Sequence, residues 1–438
     1  MEQHRKVDPW VWMVLNLPFG ATSGFVSVMI GFLLKKQGMG DDVIASLVAL
    51  NLLPHTWKVM WAPIADSTLT RKRWYMIGNL ASCATILGIA FTPIAKSNIG
   101  VLEWLVFLNS LFITFVGMSV EGLMAHATPP EERGKAAGWF QAGNLGGAGI
   151  GGGLGLTIAE HVNSQVAFIV IAVALGACTL ALTLVPEAPR LLEEGAAAAK
   201  TFIEKLMLLL RKLWEVLKEL GRMIGSRRGI VGLTLCFLPI GSAAASGIFS
   251  GETAKVWGAS ADLVATTTGF AAGIAGAVGC FVGGIMSDKI GRRMAYAAAG
   301  VIMALVAVVM AVAPQDPLNY AVWSLAYQFG AGIAYGTFTA FVLEVIGKGA
   351  AATKYNLLAS LSNIPITYMT KVDGWASVKY GPVKMLFVDA GSEIAGIVVF
   401  VLVLLVVRPD KEKLPESEKV PEKAPLPEAR IINQSTDR

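Results

Sequence analysis

The chain has 438 residues, of which 54% are hydrophobic and only 15% charged, and its mean hydropathy is +0.60. That balance excludes an ordinary soluble domain, where about a quarter of residues carry charge. The net charge of +5 says little until the basic residues are sorted by side, and no nucleic-acid partner is expected.

The N-terminal "MEQHRKVDPW" is basic and leads into an apolar segment without an A-x-A-like cleavage site, so an uncleaved first helix is expected. Breaks at Gly, Pro and charge clusters place helices over 9–34, 43–65, 74–94, 101–125, 136–158 and 166–185. A polar connector follows, and then a second set over 229–249, 263–285, 295–312, 320–344, 356–378 and 385–407. Most of these approach the roughly 20 apolar residues needed to cross a bilayer. The expectation is an all-α polytopic membrane protein, with twelve spans arranged as two six-helix bundles at 1–185 and 229–407. Cys83, Cys178, Cys236 and Cys280 each fall inside an apolar run, with no C-x-x-C spacing and no His nearby to complete a metal site. They read as small apolar fillers, and neither a metal nor a cofactor is expected.

Between the halves, residues 186–228 contain Leu206, Leu210, Leu213, Leu217 and Leu220 at helical spacing. Eight Lys or Arg against three Glu over 200–228 suit an amphipathic helix lying on an anionic lipid surface. From Arg408 onward, five Pro and equal numbers of acids and bases, seven each, cannot bury enough apolar surface to fold, so 408–438 is expected to be disordered. Sorted by alternate loops, 28 Lys and Arg lie on the side of the N-terminus and 6 on the other. By the positive-inside rule both termini and the connector are cytoplasmic, in a plasma or bacterial inner membrane. Lys58 and Lys371 remain, both inside predicted helices.

The loop "GGIMSDKIGRRM" (283–294) fits G-x-x-x-D-[RK]-x-G-[RK]-[RK] through Gly284, Asp288, Lys289, Gly291, Arg292 and Arg293. A degenerate copy, "APIADSTLTRKR" (62–73), keeps Asp66, Arg71, Lys72 and Arg73. Asp66 and Asp288 are 222 residues apart, and Lys135 and Lys354, at the starts of the fifth and eleventh helices, are 219 apart. The loop resembles the signature of the major facilitator superfamily, which implies two parallel six-helix repeats with substrate near the midplane between them. On that topology Asp288 is expected to dock on the positive N-terminal end of the fifth helix and Asp66 on that of the eleventh, forming a cytoplasmic gate. The alternative is that both loops only fix orientation.

The fifth helix, with eight Gly in the thirteen residues 143–155, and the eighth, over 269–284, have small-residue faces that allow close backbone approach. The stretch from Gly147 to Gly152 satisfies G-x-G-x-x-G, but without a preceding strand it is no nucleotide site.

Ionisable groups inside spans are costly and therefore functional candidates. They are Lys58, Glu121, Glu344, Lys371, Asp373 and Glu393, with His55 one turn before Lys58. Lys371 and Glu393 come at matching depth in consecutive helices, which favours a structural ion pair. Lys58 lies about 6 Å and Glu121 about 12 Å to the cytoplasmic side of their helix centres, a gap that a Lys stem spans. Glu121 is then either a proton-coupling carboxylate or half of a structural pair. Glu344 sits at a helix end and could simply reach the interface.

"LPHTWKVMWAPIAD" (53–66), "SVEGLMAHATPPEERGKAAG" (119–138) and "FVLEVIGKGAAATKYNLLASLSNIP" (341–365) are similar to the AmpG-type muropeptide permeases and their relatives among acetyl-CoA and siderophore transporters. Lys58, Trp61, Pro63 and Asp66 match that family's K-x-x-W-A-P-x-x-D run, and Glu121 matches an acid in its fourth helix; Ala125 stands where a second acid is expected. The resemblance implies proton-driven import of a small polar molecule such as a muropeptide by a monomer in the bilayer. A siderophore or acyl-CoA transporter, an efflux pump for hydrophobic compounds, and a non-transporting scaffold are the competing readings. No nucleophile, metal or phosphate-loop constellation supports an enzyme.

Overall fold

The computed structural model describes residues 7–39, 41–187, 202–249, 253–346 and 351–407. Every described element is helical. The first half holds α1 (Trp10–Lys36), α2 (Asp41–Ser67), α3 (Arg71–Ala90), α4 (Ile99–Ala127), α5 (Arg133–Gly149, continued by Ile150–Leu154 and Gly155–His161) and α6 (Ser164–Leu184). The connector contributes α7 (Phe202–Gly225). The second half holds α8 (Arg227–Phe237), α9 (Ala261–Thr268 and Phe270–Ile290), α10 (Arg292–Val312), α11 (Pro317–Ile346), α12 (Ala351–Leu361 and Asn363–Tyr380) and α13 (Pro382–Val407). The expected tail at 408–438 and part of the connector, 188–201, lie outside the described residues.

Local chemistry explains where these helices start. Thr70 accepts from the Arg73 backbone N–H at 3.2 Å to cap α3, Asn163 accepts from Val166 at 2.8 Å to cap α6, and Ser226 accepts from Gly229 at 2.9 Å to cap α8. Each satisfies a donor that the first turn would leave unpaired.

Among the described residues, seven helices, α1, α4, α6, α9, α10, α11 and α13, are long and apolar enough to cross a membrane. The other predicted spans depart from that standard for visible reasons. α2 carries His55 and Lys58, α3 opens on three basic residues, and α5 is rich in Gly. The predicted seventh span, 229–249, is broken: α8 stops at Phe237 and a 3-10 turn resumes only at Ala244–Ile248. Pro239 cannot continue the hydrogen-bond ladder, and both Gly241 (φ +68°) and Ala243 (φ +53°) take left-handed conformations. The eleventh span is interrupted at Ser362, ahead of Pro365.

Glycine seams decide how closely the helices approach. A Cβ at Gly20 of α1 would run into the Asn144 carbonyl of α5, and one at Gly332 of α11 into the Gly276 carbonyl of α9. Between the halves, a Cβ at Gly138 of α5 would lie 2.6 Å from the Cys280 carbonyl of α9. Backbones in contact gain dispersion along their length where lipid offers no hydrophobic drive. α1 and α5 each widen into a π turn, Phe25–Ile30 and Ile150–Leu154, and these turns pack on one another.

The halves meet unevenly. α5 packs against both α9 and α11. The first segment of α12, Ala351–Leu361, packs on α2 and α4, whereas its second segment, Asn363–Tyr380, packs on α13 and on the 3-10 turn after α8. α7 lies across the same end as Ala351–Leu361 and touches both α2 and α12. Met207, Leu210, Trp214, Leu217 and Ile224 leave an apolar face of α7 exposed, and Glu219 pairs with Lys354 of α12 at 3.1 Å.

Candidate functional site

Three groups of charged side chains are candidates, two of them centred in the interior and one at the loop motif. The first joins the two halves. Lys58 on α2 and Glu121 on α4, respectively 7% and 3% exposed, pair at 3.5 Å. The second oxygen of Glu121 accepts a 2.8 Å hydrogen bond from the Asn356 side chain on α12. Glu121 therefore answers a cation from its own half and an amide from the other. The Lys58 ammonium stands 5.7 Å from the centroid of the Phe19 ring, whose edge-to-face partner at 5.0 Å is His55. His55 and Lys58, three residues apart, share one face of α2. Two glycines of α4 make the space: a Cβ at Gly117 would lie 2.9 Å from the Phe19 ring, and one at Gly122 would strike the Arg71 guanidinium.

Beside this pair a neutral network continues across the interface. Gln141 of α5 donates to Thr339 of α11 at 2.7 Å, Asn144 donates to Gln141 at 3.1 Å, and the Thr339 and Tyr355 hydroxyls are 3.3 Å apart. Of these residues, Gln141, Asn144 and Asn356 stand out in the sequence as amides inside apolar runs; the partner of each was not legible.

The second group is the loop motif. Asp288, near the end of α9, accepts from the backbone N–H groups of Gly134 and Lys135 at the start of α5, at 2.8 Å each. A carboxylate at a helix N-terminus satisfies unpaired donors and meets the positive end of the helix dipole. Gly284, one turn earlier, is needed because its Cβ would lie 2.5 Å from the Gly134 carbonyl. Gly291 turns the chain with φ +85°, a left-handed conformation that glycine alone takes without strain. Arg292 then pairs with Glu344 at 3.0 Å and donates to the Pro130 carbonyl, and Arg293 reaches the other Glu344 oxygen at 3.3 Å. Glu344 thus belongs with the loop, as the acceptor for two arginines. Lys289 is exposed. In the degenerate copy Arg71 is buried against α4 and Arg73 is exposed; the side chain of Asp66 lies outside the described residues.

The third group corrects an expectation. Lys371 and Glu393 form no ion pair: Lys371 is exposed beside Asn363, Ile364, Thr367 and Tyr368. Glu393 instead accepts from the Gly241 backbone N–H, at 2.8 Å to one oxygen and 3.1 Å to the other. The reason is helical phase. At about 100° per residue, Lys371 and Asp373 point to nearly opposite sides of α12, and it is Asp373 that turns inward, fully buried. Matching depth does not imply matching direction. Asp389 also enters this group: it is fully buried and accepts from the Tyr327 hydroxyl at 2.9 Å. Sequence reasoning missed it, although its i,i+4 spacing to Glu393 places both on one face of α13.

A cavity opens next to Glu393, bounded by Gly241, Ser242, Tyr296, Tyr335, Phe338, Ser362 and Asn363 among others. It lies where the two broken spans face one another.

The family model described as Major Facilitator Superfamily matches residues 12–368. Two solved structures share the fold. The proton:xylose symporter XylE bound to 6-bromo-6-deoxy-D-glucose aligns with a TM-score of 0.64 at 14% identity, over 90% of this chain and 95% of that one. The human organic anion transporter MFSD10 (TETRAN) aligns with a TM-score of 0.68 at 14% identity, over 91% of this chain and 100% of that one.

Proposed function

Since the chain belongs to the major facilitator superfamily, whose members are membrane transporters, we propose that it is a secondary active importer of a polar metabolite, coupled to protons and working by alternating access. The observation that carries this reading is the buried Lys58–Glu121 pair held by Asn356 of the other half. With the connector and both termini on the cytoplasmic side of a plasma or inner membrane, this contact and the Asp288 contact both close the cytoplasmic end.

Glu121 serves as the latch. As a carboxylate it holds Lys58 and accepts from Asn356 together; as a carboxylic acid it loses the ion pair and weakens its hold on α12. A proton on Glu121 therefore loosens the end that must open for release, and frees Lys58 to meet an anionic group of the substrate. Asp288 is a second latch, on α5, and resets when the halves close. The broken α8 and α12 fit this cycle, since transporters place discontinuous helices at substrate and ion sites. The similarity of residues 53–66, 119–138 and 341–365 to the AmpG-type permeases supports a muropeptide-like substrate, with siderophores and acyl-CoA as the related candidates.

The test is uptake by proteoliposomes under an imposed pH gradient, with anhydromuropeptides, siderophores and acyl-CoA supplied in turn. Gradient-dependent accumulation of one of them is expected, and Glu121→Gln should uncouple it from the gradient. Absence of gradient-dependent flux for all three classes overturns the reading.

A further inference from the structure

Asp373, Asp389 and Glu393 are 0%, 0% and 1% exposed and come from neighbouring helices of the second half, α12 and α13. Among the described residues none of them has a Lys, Arg or His partner. The groups that face them are hydroxyls and backbone: Tyr327 of α11 on Asp389, Tyr296 of α10 and Tyr368 of α12 near Glu393, and the Gly241 N–H on Glu393. Asp389 is the charged neighbour of Asp373. Neither oxygen of Asp373 has a hydrogen-bond partner, and one oxygen of Asp389 also lacks one.

Three carboxylates without a cation cannot all be ionised in so apolar a setting, because isolated buried charge is neutralised before it is tolerated. Among the described residues no group of three or more His, Cys, Asp or Glu is arranged to hold a metal ion, which favours protons as the neutralising agent. Glu393, facing the backbone N–H groups of Gly241 and Ser242, and Asp389, with a tyrosine hydroxyl, have the support that an ionised carboxylate needs. Asp373 has none.

We propose that Asp373, Asp389 and Glu393 form a proton-binding site inside the second half, separate from Glu121, whose occupancy controls the hold of Glu393 on the broken seventh span. Asp373 carries the proton while Glu393 grips Gly241. When the proton passes within the cluster to Glu393, that carboxyl becomes a poorer acceptor, and the Pro239–Ala243 segment is released into the cavity lined by Gly241 and Ser242. Glu393 then gives its proton to solvent as Asp373 takes up another, so one proton stays in the cluster and Glu393 regains its grip. The backbone is built for this contact. Gly300 of α10 leaves room for Glu393, since a Cβ there would lie 3.2 Å from its carboxylate, and Gly396 of α13 leaves room for Pro239. Tyr296 steadies the far side by donating to the Ile240 carbonyl at 2.6 Å.

As a coupling device this site rests on the proton-driven reading above, but proton binding itself is tested without any substrate. Infrared difference spectra of the full-length protein in liposomes, titrated from acidic to alkaline pH, should show a protonated-carboxyl C=O band that disappears. The band should be lost in Asp373→Asn, retained in Glu121→Gln and unchanged when sodium chloride replaces choline chloride. If Asp373→Asn does not fold, Asp389→Asn and Glu393→Gln should shift the titration of the band. A band indifferent to all three substitutions, lost in Glu121→Gln, or displaced by sodium overturns the proposal. In a second arm, thiol labelling of Ser242→Cys should vary with pH, and this dependence should vanish when Glu393→Gln is added. Labelling independent of pH also overturns it. Absence of gradient-driven uptake alongside an intact band would reject the transport reading alone, so the two failures are distinguishable.

Discussion

Lys58 and Glu121 set one charge of each sign 3.5 Å apart, whereas Asp373, Asp389 and Glu393 set three acids in one bundle without a cation among the described residues. Both groups are buried, the three acids slightly more deeply. In the first, the desolvation cost is offset by the partner charge and by Asn356; in the second it is relieved only by binding protons. Their placement differs as well. The paired site joins the halves and in the proposed cycle registers whether they are closed, while the acidic site lies wholly in the second half and in the proposal above registers the state of its own broken helix. Identical residue types therefore perform different tasks according to what the neighbouring helix supplies.

Removing one partner of the compensated pair is the most damaging way to break this contrast. Glu121→Ala leaves the Lys58 ammonium buried alone and should cost about 3–5 kcal/mol, seen as a large drop in melting temperature in detergent. The double variant Lys58→Met with Glu121→Gln should recover most of that loss, and failure to recover would mean that Glu121 acts mainly through Asn356.

Next in size is Gly241→Ala. The added methyl must adopt φ +68° and approach within 2.5 Å of Ala334, so a loss of about 1–3 kcal/mol is expected from backbone strain. Thermal unfolding checks it, and the cost should persist in a Glu393→Gln background because it does not arise from the carboxylate.

The uncompensated site also predicts a pH dependence whose sign follows from proton counting. On the proposal above, the fold holds a proton that the unfolded chain releases, so stability falls as pH rises. Each retained proton contributes a slope of about 1.4 kcal/mol per pH unit. Melting temperatures measured from pH 5 to pH 8 should decline in the wild type and decline less in Asp373→Asn. A steeper decline in the variant would reverse the assignment.

The smallest effect is expected at the loop. Asp288→Asn keeps the shape but removes the charge that meets the start of α5, costing about 1 kcal/mol. The informative readout is conformational: a cysteine placed on the inner surface near Gln141 should become more accessible from the connector side. Equal accessibility in wild type and variant would leave Asp288 with a purely local role.

Much of the fold was legible because its signals are local. Apolar runs, prolines, glycines and charge clusters placed most helices within a few residues of those observed, the broken seventh span excepted, and the spacing of Asp66 and Asp288 pointed to a repeat. The loop motif was legible for the same reason, since its residue types and spacing are local, although Asp288 acts on the start of α5, far away in sequence. The Lys58–Glu121 pairing could be narrowed to two readings from depth alone. Depth could not orient Lys371, where two residues of helical phase decide between an exposed face and the interior, and it passed over Asp389 because a single acid near a predicted helix end resembles an interfacial residue.

By itself the sequence determined that this chain crosses a membrane many times and which ends of its helices carry the positive charge. Hydrophobic length and charge bias are summed along the chain and do not depend on which helices become neighbours. Only the tertiary structure decided that Glu121 meets Asn356 across the halves, that the seventh span breaks onto Glu393, and that three acids share one interior without a counter-ion. Those facts depend on the rotation and contact of helices far apart in sequence, and in a low-dielectric interior a charge is governed by what lies within a few ångströms of it.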